Sequence, residues 1–321
     1  MVTPRENFLN FLQGRHYDRM PSSLDRHRIL PDIIPENTAR GLILEQTPYT
    51  GPLGGKDFFG VDWVYEPEIR GSIETGALFE DIGDWDLHVR FPDLSSFDWE
   101  GCSSRNREYL KTNLIIFSTI YTGYFERLIS FVGFENAAIA LVDEDRKQAV
   151  HRLFEKLTDF YIEYARLLHN YLNVEWIEFH DDWGNQRSLM FSAQTHREMI
   201  FPYVKRLYDA MHAEGIMIEQ HSCGKIEELV PSIIESGADT WRGQPMNDKL
   251  SLVRRFGSTF RFGVEAFAET PLTDEEAISL VSHVVETYRN YPVWIFLPGE
   301  YTPYQLELIR EMLRETPAAA F

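Results

Sequence analysis

The chain of 321 residues carries 50 Asp and Glu against 31 Lys and Arg, a formal charge of −19 at pH 7. That balance excludes the basic surface needed to displace counterions from nucleic acid, and an apolar content of 44% excludes global disorder. Two cysteines, Cys102 and Cys223, imply no disulfide framework. The first twenty residues lack a basic stretch followed by an apolar run, and the apolar runs are too short to span a bilayer. A cytoplasmic chain without membrane or nucleic-acid partners is therefore expected.

The length exceeds that of most single domains, yet α/β barrels use this much chain as one unit, so one domain over 1–321 is expected, with its irregular part in 1–110. Met20–Leu24 reads as a first strand. Gly and Pro cluster between Thr47 and Gly60, which suggests loops and short strands over one face of a core. From Leu110 onward short β-branched or apolar runs recur: Asn113–Thr119, Val174–Phe179, Ile216–Gln220, the weaker Thr240–Arg242, Arg261–Val264 and Val293–Leu297. Between them lie amphipathic segments. Val150, Leu153, Leu157, Tyr161 and Leu168 keep helical spacing, as do Ile226, Leu229, Val230, Ile233 and Ile234 before Gly237. Thr273 with Glu276, and Thr302 with Gln305 after Pro303, form capping boxes. This alternation predicts a parallel sheet with helices outside, a (β/α)8 barrel of TIM type, with distortion allowed. Seven strands can be placed and the eighth cannot. A doubly wound open sheet is the alternative, and no Gly-rich dinucleotide turn supports it.

Function in a parallel barrel collects where strands end. His180-Asp181-Asp182, His221-Ser222-Cys223 and Gly299-Glu300 fall there. His221 and Cys223, two apart at a strand end, project from one face, and imidazole with thiolate suits zinc. A bare His-x-Cys is more often a core cysteine beside a hydrogen-bonded histidine. Asp181 and Asp182 can hold a proton, orient a substrate or support a metal; a solvated turn is an equal alternative. Glu300 alone reads as a helix N-terminal carboxylate. Arg26 and Arg28 can grip an anion, although a solvated charged turn is the commoner outcome. Tyr121, Tyr124 and Trp183 can line a pocket for a flat substrate. Glu265 is expected at the same mouth, as a substrate contact.

Several segments match a known pattern in order along nearly the whole chain. They are Thr3-Pro4-Arg5-Glu6 through Asp18-Arg19-Met20-Pro21, Asp57-Phe58-Phe59-Gly60-Val61, Gly123-Tyr124-Phe125-Glu126-Arg127, and Asp181-Asp182-Trp183-Gly184-Asn185-Gln186. With His221-Ser222-Cys223-Gly224 and Gly237-Ala238-Asp239, the sequence resembles the uroporphyrinogen decarboxylase superfamily, and within it the cobamide-dependent methyltransferase and O-demethylase branch. The resemblance implies a barrel whose His-x-Cys motif binds zinc together with a distant cysteine. It also implies methyl exchange with a corrinoid (cobalamin) carried by a partner protein docked at the barrel mouth.

The distant cysteine of that pattern is expected in a Pro-Gly-Cys context, and this sequence reads Pro298-Gly299-Glu300. Either Glu300 takes the third ligand position beside His221 and Cys223, which is the expectation here, or the metal site is degraded. A carboxylate in place of a thiolate leaves a more Lewis-acidic zinc, suited to an ether oxygen rather than a thiol. The resulting expectation is a methoxylated aromatic small molecule as methyl donor and Co(I) of the partner as acceptor. His180 and Asp182 would orient the substrate or manage the proton, with Asp181, Tyr121, Arg26 and Glu265 as substrate contacts. The rivals are a metal-free decarboxylase of a tetrapyrrole-like polyacid, whose pocket would show three or more converging arginines, and a non-catalytic corrinoid-binding protein.

Overall fold

The computed structural model describes residues 2–68, 71–268 and 270–318. In chain order the strands are β1 (Arg26–Arg28), β2 (Gly55–Lys56), β3 (Asp62–Glu66), β4 (Gly71–Glu74), β5 (Ile115–Ile120), β6 (Trp176–His180), β7 (Met217–Ser222), β8 (Thr240–Gly243), β9 (Arg261–Glu265) and β10 (Val293–Phe296). Seven of them form one sheet in the order β1-β5-β6-β7-β8-β9-β10. Every pair in it is parallel.

The sheet closes on itself. Ser22 bridges Ile295 in parallel, and the Ile295 N–H donates to the Pro21 carbonyl at 2.9 Å. The first strand thus serves both neighbours in two pieces: Pro21–Ser22 against β10, and Arg26–Arg28 against β5. Between them the one-turn helix Ser23–Asp25 makes a bend, held by a reciprocal Ser22–Asp25 cap and by Arg19 on the buried Asp25 carboxylate. This split explains why Met20–Leu24 reads as a strand but pairs only in part. The fold is a (β/α)8-type barrel distorted at its first strand.

Period-two alternation sorts the strand side chains. Ile116, Ile177, Ile218, Trp241, Phe262 and Ile295 point outward and join the main core under the helices. Ile115, Phe117, Trp176, Met217 and Trp294 point into the lumen, where Phe8 and Phe11 of the helix Pro4–Leu12 pack with them as a floor. The Phe8 ring lies 5.0 Å from Trp176 and 5.9 Å from Trp294.

The helices follow their sequence signals closely. Glu144–Leu172 runs between an Asp143 N-cap and a left-handed Asn173. Both capping boxes form, at Thr273 and Thr302. The segment from Ile226 starts later than its spacing suggests: Glu227–Leu229 is a one-turn 3₁₀ helix, and the α-helix Val230–Ser236 begins just before Pro231, which fits a first turn. The irregular early region holds the antiparallel sheet β2-β3-β4. Buried Arg127 ties this region to the barrel through Glu36 at 2.6 Å and through Asp57. Among the described residues no helix is long and apolar enough to cross a membrane.

Candidate active site at the barrel mouth

β6 and β7 run in register, pairing Glu178 with Glu219 and His180 with His221. On the lumen face each strand therefore changes chemistry as it rises. Trp176 gives way to Glu178 and then His180; Met217 gives way to Glu219, His221 and, past the strand end, Cys223. The His180 and His221 rings meet edge to face, centroids 4.8 Å apart.

His221 Nδ1 lies 2.6 Å from the Arg242 carbonyl oxygen. A carbonyl only accepts, so Nδ1 carries the proton and Nε2 keeps its lone pair. The Cys223 sulfur sits 4.0 Å from that Nε2. Two ligands bound to one tetrahedral zinc at ~2.1 and ~2.3 Å lie roughly 3.6 Å apart, so this pair fits a metal with little movement. The ligand atoms of His180, His221 and Cys223 all lie within 4.8 Å of one another, and so do those of Glu126, His180 and Asp182. His180 is common to both groups.

His180 Nε2 faces Asp182 Oδ1 at 3.0 Å and Glu126 Oε2 at 3.8 Å. The same Asp182 oxygen accepts the Cys223 backbone N–H at 2.6 Å. Burial alone would push the His180 imidazolium down, but Glu126, Asp182 and the Cys223 thiol hold it well above its ordinary range. Burial pushes the Glu126 carboxyl up to about 8, and its Oε2 has no hydrogen-bond partner among the described residues. Asp182 moves the other way, to about 2, because His180 and the Cys223 N–H outweigh its burial. His221 is held well below its usual value by burial and by neighbouring Arg242 and His180, which keeps it a neutral base. Burial raises the Cys223 thiol.

One layer deeper, Arg242 bridges Glu219 at 3.0 Å and Glu178 at 2.9 Å. The three are buried, and the Arg242 guanidinium also stacks over Phe296. This layer fixes the strands whose next inward residues are the two histidines.

The expected site residues divide. His180, Asp182, His221 and Cys223 come together. Tyr121, just past β5, joins them: its ring centroid lies 6.5 Å from that of His180, and its hydroxyl accepts from Arg28. Asp181 is instead structural. It is fully buried and accepts the Phe125 and Glu126 N–H groups and the Trp183 indole N–H at 2.8–3.1 Å, which anchors the helix Tyr124–Val132. Its carboxylate has no face left for a substrate.

Arg26 is not at the mouth either. It starts β1 beside Ile115 and lies low in the lumen among Phe117, Trp176, Trp294 and Phe296. Burial pulls its guanidinium down to about 10. Glu265 ends β9 but pairs with Lys249 at 3.1 Å. Both line a cavity of about 500 Å³ whose walls contain none of the four cluster residues.

Glu300 is the clearest correction. Its side chain is exposed and belongs to neither group of candidate ligands. Gly299, at φ +100°, packs directly on the Ala268 backbone, and the Glu300 N–H reaches the Ala268 carbonyl at 3.4 Å. The turn is held against that loop before the helix cap at Thr302, which leaves Glu300 facing solvent. Among the described residues it is His180, not Glu300, whose ligand atom lies near those of His221 and Cys223.

Glu126 and the Glu178–Arg242–Glu219 layer escaped the sequence reading of the site. A signal for the second existed: charged residues inside apolar strand-like runs, two before each histidine, must share the histidines' inward face. For Glu126 there was only its place three residues after Gly123.

The arginine criterion for a polyacid pocket is only half met. Arg26, Arg28 and Arg242 all face the lumen, but Arg242 is neutralised by two glutamates. Arg26 Nε and NH1 and Arg28 Nε lack partners among the described residues.

A parallel barrel with ionisable and metal-donor side chains gathered at the C-terminal ends of its strands is an enzyme-type architecture. Residues 125–258 match the family model described as uroporphyrinogen decarboxylase (URO-D), which supports a likeness to that superfamily over this part of the chain. The matched span contains Glu126, His180, Asp182, His221 and Cys223.

No curated protein matches the sequence. Among solved structures, a glycosylated endo-β-1,4-xylanase of glycoside hydrolase family 10 from Gloeophyllum trabeum is 10% identical. It covers 65% of this chain and 70% of its own, with a TM-score of 0.40. A family 2 AP endonuclease from Brucella melitensis is 14% identical, covering 68% and 85%, at 0.39. An Old Yellow Enzyme from Pichia sp. is 9% identical, covering 70% and 68%, at 0.40.

Proposed function

We propose that the chain is a zinc-dependent methyltransferase that moves a methyl group from a methoxylated aromatic small molecule to the Co(I) corrinoid of a partner protein. The observation that carries this reading is the pair of ready donors at the mouth: the His221 Nε2 lone pair, set by the Arg242 carbonyl, and the Cys223 sulfur 4.0 Å away. His180 is the third donor within reach. Zinc held by these three would supply Lewis acidity toward an ether oxygen.

The remaining roles belong to the chain's own groups. Asp182 Oδ1 accepts the Cys223 backbone N–H, which orients that donor, and the same oxygen faces His180 Nε2, which would have to give up its proton before it could join the metal. Glu126, whose carboxyl burial pushes up to about 8 and whose Oε2 has no hydrogen-bond partner among the described residues, stands where a proton can be held for the departing oxygen. Tyr121 offers an aromatic wall for a flat substrate. In the overall exchange the partner's corrinoid would supply the electron pair that takes the methyl group, and the ether oxygen would leave with the C–O pair and take up a proton.

The test is metal analysis of protein prepared with zinc. The wild type should hold about one zinc per chain. His221→Gln and Cys223→Ser should lose it, while Glu300→Gln should retain it. Methoxylated aromatics should then raise the melting temperature of the zinc protein. A wild type that binds no zinc sinks the proposal. It would favour the second reading, a metal-free decarboxylase of a polyacid, whose support is the unpartnered nitrogens of Arg26 and Arg28 in the lumen.

A further inference from the structure

Cys223 stands just past the end of β7, where the chain leaves the sheet, and Gly224 follows at φ +81°. A thiol on such a turn would ordinarily wander by more than a metal site tolerates. Here the turn is clamped from both neighbouring mouth loops. On the β6 side, Lys225 N–H donates to the Asn185 carbonyl at 2.7 Å and Trp183 N–H to the Ser222 hydroxyl at 2.9 Å. Gly224 packs so tightly on the Gly184 backbone that a Cβ would collide with it.

On the β8 side one side chain does most of the clamping. Asn247 is 4% exposed. Its Oδ1 accepts the Ile226 N–H at 2.8 Å, and its Nδ2 donates to the carbonyls of Gly224 at 2.9 Å and Gln244 at 3.0 Å. The Gln244 side chain adds an acceptor for the Gly224 N–H at 2.8 Å. One planar amide thus spans the turn from residue 224 to 226 and ties it to the next loop. No other side chain of that size offers an acceptor and two donors in this arrangement: aspartate has no donors, and alanine offers neither.

We propose that Asn247 is a positioning residue for Cys223, holding the turn so that the sulfur stays in reach of the metal shared with His221. The inference rests on the metal-site reading above. Outer partners of metal ligands commonly contribute 10–100-fold in metal affinity, because they hold the ligand in bonding geometry before the metal arrives.

The test compares wild type with Asn247→Asp and Asn247→Ala, using zinc affinity by chelator competition and the absorption spectrum of the cobalt(II)-substituted protein. Both variants should bind zinc roughly 10–100-fold more weakly. Their thiolate-to-cobalt charge-transfer band should shift or weaken, because the sulfur is no longer held. A residue that merely stabilised the β8 loop would lower the melting temperature and leave affinity and band unchanged, and that result overturns the proposal. If Asn247→Asp does not fold, Asn247→Ser and Gln244→Ala each remove part of the clamp and carry the same test. A wild type that binds neither metal removes the reading on which the proposal rests. Wild-type binding with unaltered variants removes the role of Asn247 alone.

Discussion

The floor and the mouth of the barrel are built from the same strands, two or four residues apart, and they obey opposite rules. At the floor, Trp176, Met217, Ile115 and Trp294 meet Phe8 and Phe11 in an aromatic plug. At the mouth, the same inward rows carry His180, His221 and Cys223, with burial and neighbouring charge pushing Glu126 up and Asp182 down. Between them lies a layer that belongs to neither, the buried Glu178–Arg242–Glu219 bridge. The bridge matches acids with a base between the two and passes the strand register upward to the donors. The floor supplies stability, the mouth supplies reactive groups, and the middle layer holds the second in place on the first.

Paired substitutions in the two lower layers give the largest effects and can break that division. Trp176→Ala empties a fully buried site and should cost about 3–5 kcal/mol of stability, with zinc content of the folded protein unchanged. Arg242→Met leaves two buried carboxylates without their partner and should also cost about 3–5 kcal/mol. Unlike the floor variant, it should weaken zinc binding, because the strand that presents the His221 acceptor loses its anchor. Denaturant unfolding and metal analysis on both proteins check the comparison. Equal zinc content in the two would show that the middle layer is only more floor.

Asp181→Asn separates structure from chemistry within the mouth itself. The carboxylate accepts two backbone N–H groups and an indole N–H. An amide would turn donors toward donors, so a loss of about 1–3 kcal/mol is expected. Affinity for a methoxylated ligand, measured by titration calorimetry on the folded protein, should not change. A selective loss of ligand affinity would restore Asp181 as a substrate contact.

Much of this arrangement was legible in the sequence, and the parts that were not share a cause. The strand runs, the capping boxes at Thr273 and Thr302 and the His-x-Cys pair are local patterns, set within a few residues, and they appear where periodicity places them. The first strand was misread because its pairing is divided by a bend that depends on Arg19 reaching Asp25. Glu300 was misread because its fate is decided by Ala268, a residue 32 positions away whose backbone captures the Gly299 turn. Arg26 looked like a mouth residue only while β1 was placed too early; in true register it begins the strand and sits low. Asp181 and Asp182 are adjacent in sequence and alike in composition, and only the tertiary positions of Phe125 and Cys223 make one an anchor and the other a site group.

The smallest expected effect lies outside the lumen, at an ion pair that ties the helix Phe201–Ala213 to the residue before β8. His212 ends the helix Phe201–Ala213, and its Nε2 lies 2.9 Å from Asp239 Oδ2. The same oxygen accepts the Ile218 N–H at 2.7 Å, which fixes the carboxylate in place. The Asp239 hydrogen bond raises the His212 pKa and outweighs its partial burial. Because the folded value lies above the unfolded one of about 6.5, the folded state holds the proton more tightly. The stabilisation is therefore complete below the unfolded pKa and fades as pH rises through the folded one. The side chain is about a third exposed (36%), so solvent screening keeps the effect well under about 1 kcal/mol. His212→Gln should accordingly melt slightly below wild type at about pH 5.5, with the gap closing by about pH 8.5. A gap that stays constant across that range would mean that His212 contributes packing rather than charge.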